Sequence, residues 1–181
     1  MDAIVEAALR KWPRVPHCYG WLALDARGDW YMRDERIQAA GPFPRVKGSR
    51  IEHDKLRGFI ERNYGHDAAG AWFFQNGPQR VYVELEAAPW VWRLAGRAAP
   101  SGWPVSSHTG QPARVRSAWL DEPGRLFLDT DLGFGLVHSL DMLEAAQALE
   151  TGAWPVPEPA TLPFAQMPAR FGYCLRPQAA G

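Results

Sequence analysis

The spacing of hydrophobic positions changes repeatedly along this chain, and each change predicts an element. Over residues 2–12, Ile4, Val5, Ala8, Leu9 and Trp12 recur at helical spacing behind Asp2. That predicts a capped amphipathic helix, stopped by Pro13 and Pro16. Residues 20–24 and 30–32 read as two strands joined around Gly28. A loop rich in Pro and Gly follows over 41–48. Leu56, Phe59, Ile60 and Tyr64 then restore the helical period from near 52–54 to 64, with Gly65 expected as a left-handed cap. Strands are predicted over 72–75 and 80–85, joined through Asn76-Gly77-Pro78-Gln79. In the second of these, Val81, Val83 and Leu85 share one face, and Arg80, Tyr82, Glu84 and Glu86 share the other. A half-buried strand would turn the aliphatic row inward and leave Tyr82 toward solvent, so replacing Tyr82 should cost less than Val83→Ala.

Residues 96–112 are looser. A hairpin is expected over 114–120 and 125–129, turning at Glu122-Pro123-Gly124, then a strand at 135–137. Asp141 and Glu144 have capping-box spacing and open a helix that ends before Gly152. The last stretch holds Pro155, Pro157, Pro159, Pro163, Pro168 and Pro177 and should be mostly extended, with Phe171, Tyr173 and Leu175 alternating as a closing strand. Two segments echo each other: Leu24-Asp25-Ala26-Arg27-Gly28-Asp29-Trp30-Tyr31-Met32 and Leu120-Asp121-Glu122-Pro123-Gly124-Arg125-Leu126-Phe127-Leu128. Both precede an apolar residue, a histidine (His53, His138) and a helix, and Asp67-Ala68-Ala69-Gly70 is a partial third copy. The expected fold is α+β: two repeated hairpin-plus-helix modules with small antiparallel sheets, over 1–95 and 96–181.

Composition narrows the function. Apolar residues make up 46% and charged residues 22%, ordinary globular usage that excludes wholesale disorder. Twenty basic and twenty acidic side chains cancel, so nucleic acid is not an expected partner, because phosphate binding needs a basic excess. No stretch approaches the roughly 20 apolar residues of a membrane helix, and the start is not a secretory signal. Cys18 and Cys174 lack a Cys-x-x-Cys pattern, which disfavours a disulfide scaffold or a zinc site and points to the cytoplasm. Nine tryptophans either fill a thin core or line an aromatic ligand groove.

Several segments carry a resemblance. His17-Cys18-Tyr19-Gly20-Trp21, Trp30-Tyr31-Met32-Arg33-Asp34, Trp72 through Val83 and Glu86-Ala87-Ala88-Pro89-Trp90 resemble an uncharacterised proteobacterial family of unknown function. The order of a Gly-x-Trp hairpin, an Ile-x-His helix, a further hairpin and Glu-x-x-Pro-aromatic is similar to a second uncharacterised bacterial family. The second resemblance implies two related α+β modules and a suggested signalling role. Neither implies a reaction, a cofactor or a catalytic residue.

Each candidate chemistry meets a plainer reading. His17 and Cys18 are adjacent on a strand and point to opposite faces, so they do not pair. Asp129-Thr130-Asp131 opens like a calcium loop, but Gly133 and Leu140 stand where ligands are needed. Arg45, Lys47 and Arg50 form the densest basic stretch, an anion site at most. His53 and His138 sit near helix starts, where a structural hydrogen bond is the plainer role. The leading expectation is a non-catalytic cytoplasmic protein that binds a small molecule or a protein and regulates, with no cofactor and no metal. Its candidate ligand-binding residues are Arg33, His53, Trp90 and Trp92. An alternative enzyme would set His53 or His138 with Asp34, Glu84 or Glu86 in a Trp-lined cleft, and a third reading uses the Pro-rich tail as an interaction module.

Overall fold

The computed structural model describes residues 1–94 and 103–179. Contacts divide the chain into two units. The first is Met1–Asp25, Asp29–Glu86 and Gly172–Gly181; the second is Ala26–Gly28 and Ala87–Phe171. The expected boundary after residue 95 therefore differs from the observed one. The strand over 90–94 pairs with the second sheet, and the chain from Gly172 returns to the first unit.

The first unit holds β1 (Cys18–Leu24), β2 (Trp30–Met32), β3 (Ser49–Arg50), β4 (Tyr64–His66), β5 (Trp72–Asn76) and β6 (Gln79–Leu85), in the order β3-β2-β1-β6-β5-β4. The second holds β7 (Trp90–Leu94), β8 (Val105–Ser107), β9 (Pro112–Ala113), β10 (Val115–Leu120), β11 (Leu126–Thr130), β12 (Gly133–Val137) and β13 (Ala160–Thr161), in the order β13-β10-β11-β12-β7-β8-β9. The wiring is the same in both. Two three-stranded antiparallel meanders meet where the first strand lies parallel to the sixth, β1 on β6 and β7 on β12. In the second unit Arg114 alone links β9 to β10, so that sheet must curl until its two meanders meet. In the first unit the same link is made by helix α3 (Asp54–Arg62), whose Ile60 is buried and whose Phe59 meets Phe74 edge-on at 5.4 Å.

Register fixes which residues correspond. Leu22 faces Val83 and Leu24 faces Leu85; Trp90 faces Gly135 and Trp92 faces Val137. One residue further on, the Glu86 N–H donates to the Leu24 carbonyl at 3.0 Å, and the His138 N–H donates to the Trp92 carbonyl at 2.9 Å. Leu22 thus corresponds to Trp90 and Leu24 to Trp92. Two repeated modules are present, but their extent differs from the sequence echo. The segment opening on β1 answers to the one opening on β7, not to the hairpin β10–β11. The echo came from turn chemistry shared more widely. At Asp25, Asp67, Ser107 and Asp121 a side-chain oxygen accepts the N–H four residues on, while the backbone of the same pair closes the turn. A left-handed glycine sits third after each. The fourth copy, at Ser107, escaped the sequence pattern because serine replaces aspartate.

Helices depart from expectation in detail. In α1 (Ala3–Lys11) only Val5 is buried, while Ile4 and Trp12 are exposed. Asp2 does not cap it by side chain; its carboxylate meets Arg62 and Asn63. A short α2 (Glu35–Ala40), capped by Asp34, occupies a stretch with no predicted element. Gly65 is no cap: α3 ends at Asn63 and the chain enters β4 at once, with Gly65 opposite Phe73. α4 (Met142–Glu150) follows a 3₁₀ turn at Ser139–Asp141. Of the loose stretch expected over 96–112, residues 96–102 lie outside the described residues, and the rest contributes β8 and β9. The tail is packed rather than free. It forms β13, α5 (Met167–Phe171) and a Phe134–Phe171 stack at 3.7 Å, and the Leu175 carbonyl accepts from the Leu85 N–H.

Val83 and Leu85 do point inward, but the opposite face is covered as well. Tyr82 is only 6% exposed, lies flat on Tyr19 at 4.6 Å and donates its hydroxyl to Asp67. The expectation that Tyr82 faces solvent therefore fails, because period-2 alternation cannot show what packs on the second face. Tyr82→Ala should destabilise by about 3 kcal/mol and Val83→Ala by about 1–3 kcal/mol in urea unfolding, so the order of cost is the reverse of a one-faced strand. Gly135→Ala should lose a further about 1–3 kcal/mol. An added Cβ there would sit 2.5 Å from the Trp92 indole nitrogen and 2.6 Å from the Trp90 carbonyl.

Candidate functional site: an apolar cleft in the first unit

The interior face of the first sheet is not fully closed by α3. A cleft of about 310 Å³ remains, floored by Leu22, Phe74 and Val81 and walled by Leu56, Phe59 and Ile60 of α3. Trp21, Met32 and Ile51 complete its apolar lining, and Cys18, Asn76 and Gln79 are its remaining residues. Trp21, Met32 and Leu56 are 39%, 47% and 37% exposed, so large apolar side chains are left in water along this cleft.

A bulge in β1 presents Trp21. Between the pairs Cys18–Val81 and Leu22–Val83 the strand advances four residues against two, which locally breaks the ladder and re-aims side chains. Gly20 takes a left-handed φ of 77° inside the bulge, where a Cβ would meet the Gln38 amide oxygen at 2.6 Å. Tyr19 stays on the Tyr82 side of the sheet, and Trp21 turns out to the cleft.

The four sequence candidates fall elsewhere. Arg33 is buried with its side chain on the loop over 41–48. It donates to the carbonyls of Val46 and Lys47 and, at 3.0 Å, of Gly41, and pairs with Glu84 at 3.2 Å. Burial raises the Glu84 carboxyl above its ordinary value, against the pull of Arg33 and Arg176. His53 is exposed and caps α3, its Nδ1 accepting from the Leu56 N–H at 3.3 Å. Trp90 and Trp92 are core residues of the second unit, stacked at 6.1 Å, with their indole N–H groups donated to the carbonyls of Leu132 and Leu128. Arg33 and His53 do not line the cleft, and the two tryptophans belong to the other unit.

The groups named for an enzyme are held in structural work. His138 caps its 3₁₀ turn by accepting from the Leu140 N–H at 3.1 Å, Asp34 accepts from the Ile37 N–H, and Glu86 meets Lys47 at 3.3 Å. Two residues of the basic stretch are in ion pairs too, Lys47 with Asp25 at 2.8 Å and Arg50 with Asp29 at 2.8 Å. Asp131 accepts from the Arg114 N–H where a calcium loop was considered. Among the described residues no group of three or more His, Cys, Asp and Glu could hold a metal ion, and no helix is long and apolar enough to cross a membrane.

Sequence reasoning missed the cleft because its lining comes from five separate stretches, the bulged β1, Met32 of β2, Ile51, α3 and the β5–β6 hairpin, with no shared motif. The local signal was Gly20 beside Trp21, an aromatic at a position where a strand is interrupted.

The family model DUF2944, described as "Protein of unknown function (DUF2946)", matches residues 1–178. No curated protein matches the chain. The chain is similar in structure to a DUF1285 family protein from Silicibacter pomeroyi DSS-3, with TM-score 0.50 and 12% identity, over 81% of this chain and 84% of that one. It is also similar to a DUF1285 family protein from Shewanella baltica OS155, with TM-score 0.49 and 17% identity, over 74% and 96%. The first likeness supports the fold and carries no activity.

One buried group sets a pH response. The Val91 N–H donates to Nδ1 of His108, and burial holds that imidazole down to about 3, against an ordinary value of 6.5. The unfolded chain therefore takes up this proton below about pH 6.5 while the folded chain does not. The contribution is fully present above that value and falls away toward pH 3. Urea unfolding should show stability declining over this window, and His108→Gln should flatten the decline; an unchanged slope in the variant would contradict the assignment.

Proposed function

We propose that this chain, which belongs to the family described as a protein of unknown function (DUF2946), is a non-catalytic cytoplasmic protein that holds a small, largely apolar ligand in the cleft of its first unit. The observation that carries the reading is the cleft itself, of about 310 Å³, at the lower end of the roughly 300–1,000 Å³ typical of ligand sites. Its lining is mostly aliphatic and aromatic with a few amide groups, the composition that gives apolar affinity with limited orientation. The histidines and carboxylates that acid–base chemistry would use are committed to caps and ion pairs, which favours binding over catalysis. Two free cysteines agree with a reducing compartment. Ligand binding in one unit would serve the regulatory role suggested above by changing the order of α3 and the bulge that border the cleft.

Titration with N-phenyl-1-naphthylamine, a neutral apolar dye, tests this on the full chain. Saturable dye fluorescence is expected. Leu56→Lys, at an exposed position of α3, should weaken binding by about tenfold or more while the chain stays folded, because a charge then borders the apolar site. Absence of saturation, or equal binding by the folded variant, would overturn the reading.

A further inference from the structure

The second unit shows what its own interior holds at the position of the cleft. Counting back along the parallel pair, Val83 answers to Gly135 and Val81 to Gly133, while Leu22 answers to Trp90. Leu22 and Val81 both line the cleft. In the second unit the corresponding pair is a large ring beside two glycines. The Trp90 indole nitrogen lies 3.4 Å from where a Cβ on Gly133 would stand, and Gly135 is closed to any side chain by Trp90 and Trp92. An indole fills the interior there, and two aliphatic side chains with open space replace it in the first unit.

The hairpin turn borders this position in both units. Trp90 donates its ring N–H at 3.0 Å to the carbonyl of Leu132, in the turn between β11 and β12. The turn between β5 and β6 in the first unit lies two residue pairs further along its hairpin, and its flanking pair Asn76 and Gln79 both line the cleft. None of the cleft's lining residues is Asp, Glu, Lys, Arg or His, so nothing there offsets the desolvation of a charged occupant.

Resting on the ligand-binding reading above, we infer that the cleft takes an uncharged planar heteroaromatic ring of the indole class. The ring lies over Leu22 and Val81, and its N–H is directed to the amide oxygen of Asn76 or Gln79. The occupant reproduces, as a separate molecule, what Trp90 supplies covalently in the second unit.

Competition against the bound naphthylamine dye tests the assignment, using indole, 1-methylindole and cyclooctanol as a saturated ring alcohol of similar size. Indole should displace the dye at a concentration lower by about tenfold or more than either competitor, since a site built to accept an N–H discriminates against analogues that lack the ring or the donor. Leu22→Trp combined with Val81→Gly copies the second unit into the first and should abolish indole binding in a chain whose near-ultraviolet circular dichroism shows it folded. Should that double variant fail to fold, Asn76→Leu with Gln79→Leu serves instead, and should remove the preference for indole over 1-methylindole. Cyclooctanol matching indole would overturn the aromatic assignment and leave an apolar binding site standing. So would a folded variant that keeps the wild-type preference. Failure of the dye itself to bind would remove the ligand-binding reading on which the assignment rests.

Discussion

Each unit depends on one pairing, that of its first strand with its sixth, side by side and parallel. Parallel neighbours cannot be joined by a tight turn, so everything between them must leave the centre of the sheet and come back. The chain does this with two antiparallel meanders, and the register of the central pair then dictates what each interior can contain. Leu22 and Leu24 are set against Val83 and Leu85; Trp90 and Trp92 are set against Gly135 and Val137. The volume on one strand is matched to the volume on the other. Two indoles are accommodated only where the partner strand gives up side chains, as the approach of Trp90 and Trp92 to Gly135 shows.

The same wiring therefore yields two different interiors. In the second unit the ring of Trp90 occupies the position that corresponds to the cleft, and a separate cavity of about 350 Å³ lies at the link from β9 to β10, lined by Val105, Ala113, Arg114 and Val115. In the first unit a nine-residue helix replaces that one-residue link, and its side chains do not fill the space between Leu22, Phe74 and Val81. The bulge at Gly20 adds to the opening by turning Trp21 away from the sheet. An apolar cavity is costly to a fold through lost contacts, so a cleft kept at a position that the sister unit fills is the part of this molecule where function is best sought.

Polar side chains mostly serve the architecture. Arg33 binds a proline- and glycine-rich loop to the sheet through three carbonyls and Glu84, a role that suits a planar guanidinium with several donors. His53 and His138 accept helix-start N–H groups, which a neutral imidazole can do at the positive end of a helix. Four turns use one side-chain oxygen in the same way, and this repeated local bond makes distant parts of the sequence look alike when their places in the sheets differ.

Local chemistry was legible in the sequence: the helices over 3–11, 54–62 and 142–150, the hairpins over 72–85 and 115–130, the turn aspartates and the α+β class follow from hydrophobic period and left-handed turn glycines, whereas the caps expected at Asp2, Gly65 and Asp141 are not formed. The inward parity of Val83 and Leu85 was legible too, because alternation is a property of the strand alone. What only the tertiary structure decided were the relations between segments far apart in the chain. These include the parallel pair that equates β1 with β7, the second covering of the sheet over Tyr82, the assignment of Trp90 and Trp92 to a filled core, and the cleft lined from five separate stretches. Arg33 read as a binding residue because a lone arginine after an aromatic strand looks available; three carbonyls of a loop some ten residues later, and a carboxylate 51 residues on, make it structural. Periodicity reports which face a residue takes on its own element. It carries no information about which other surface meets that face, and in this protein that meeting separates core from site.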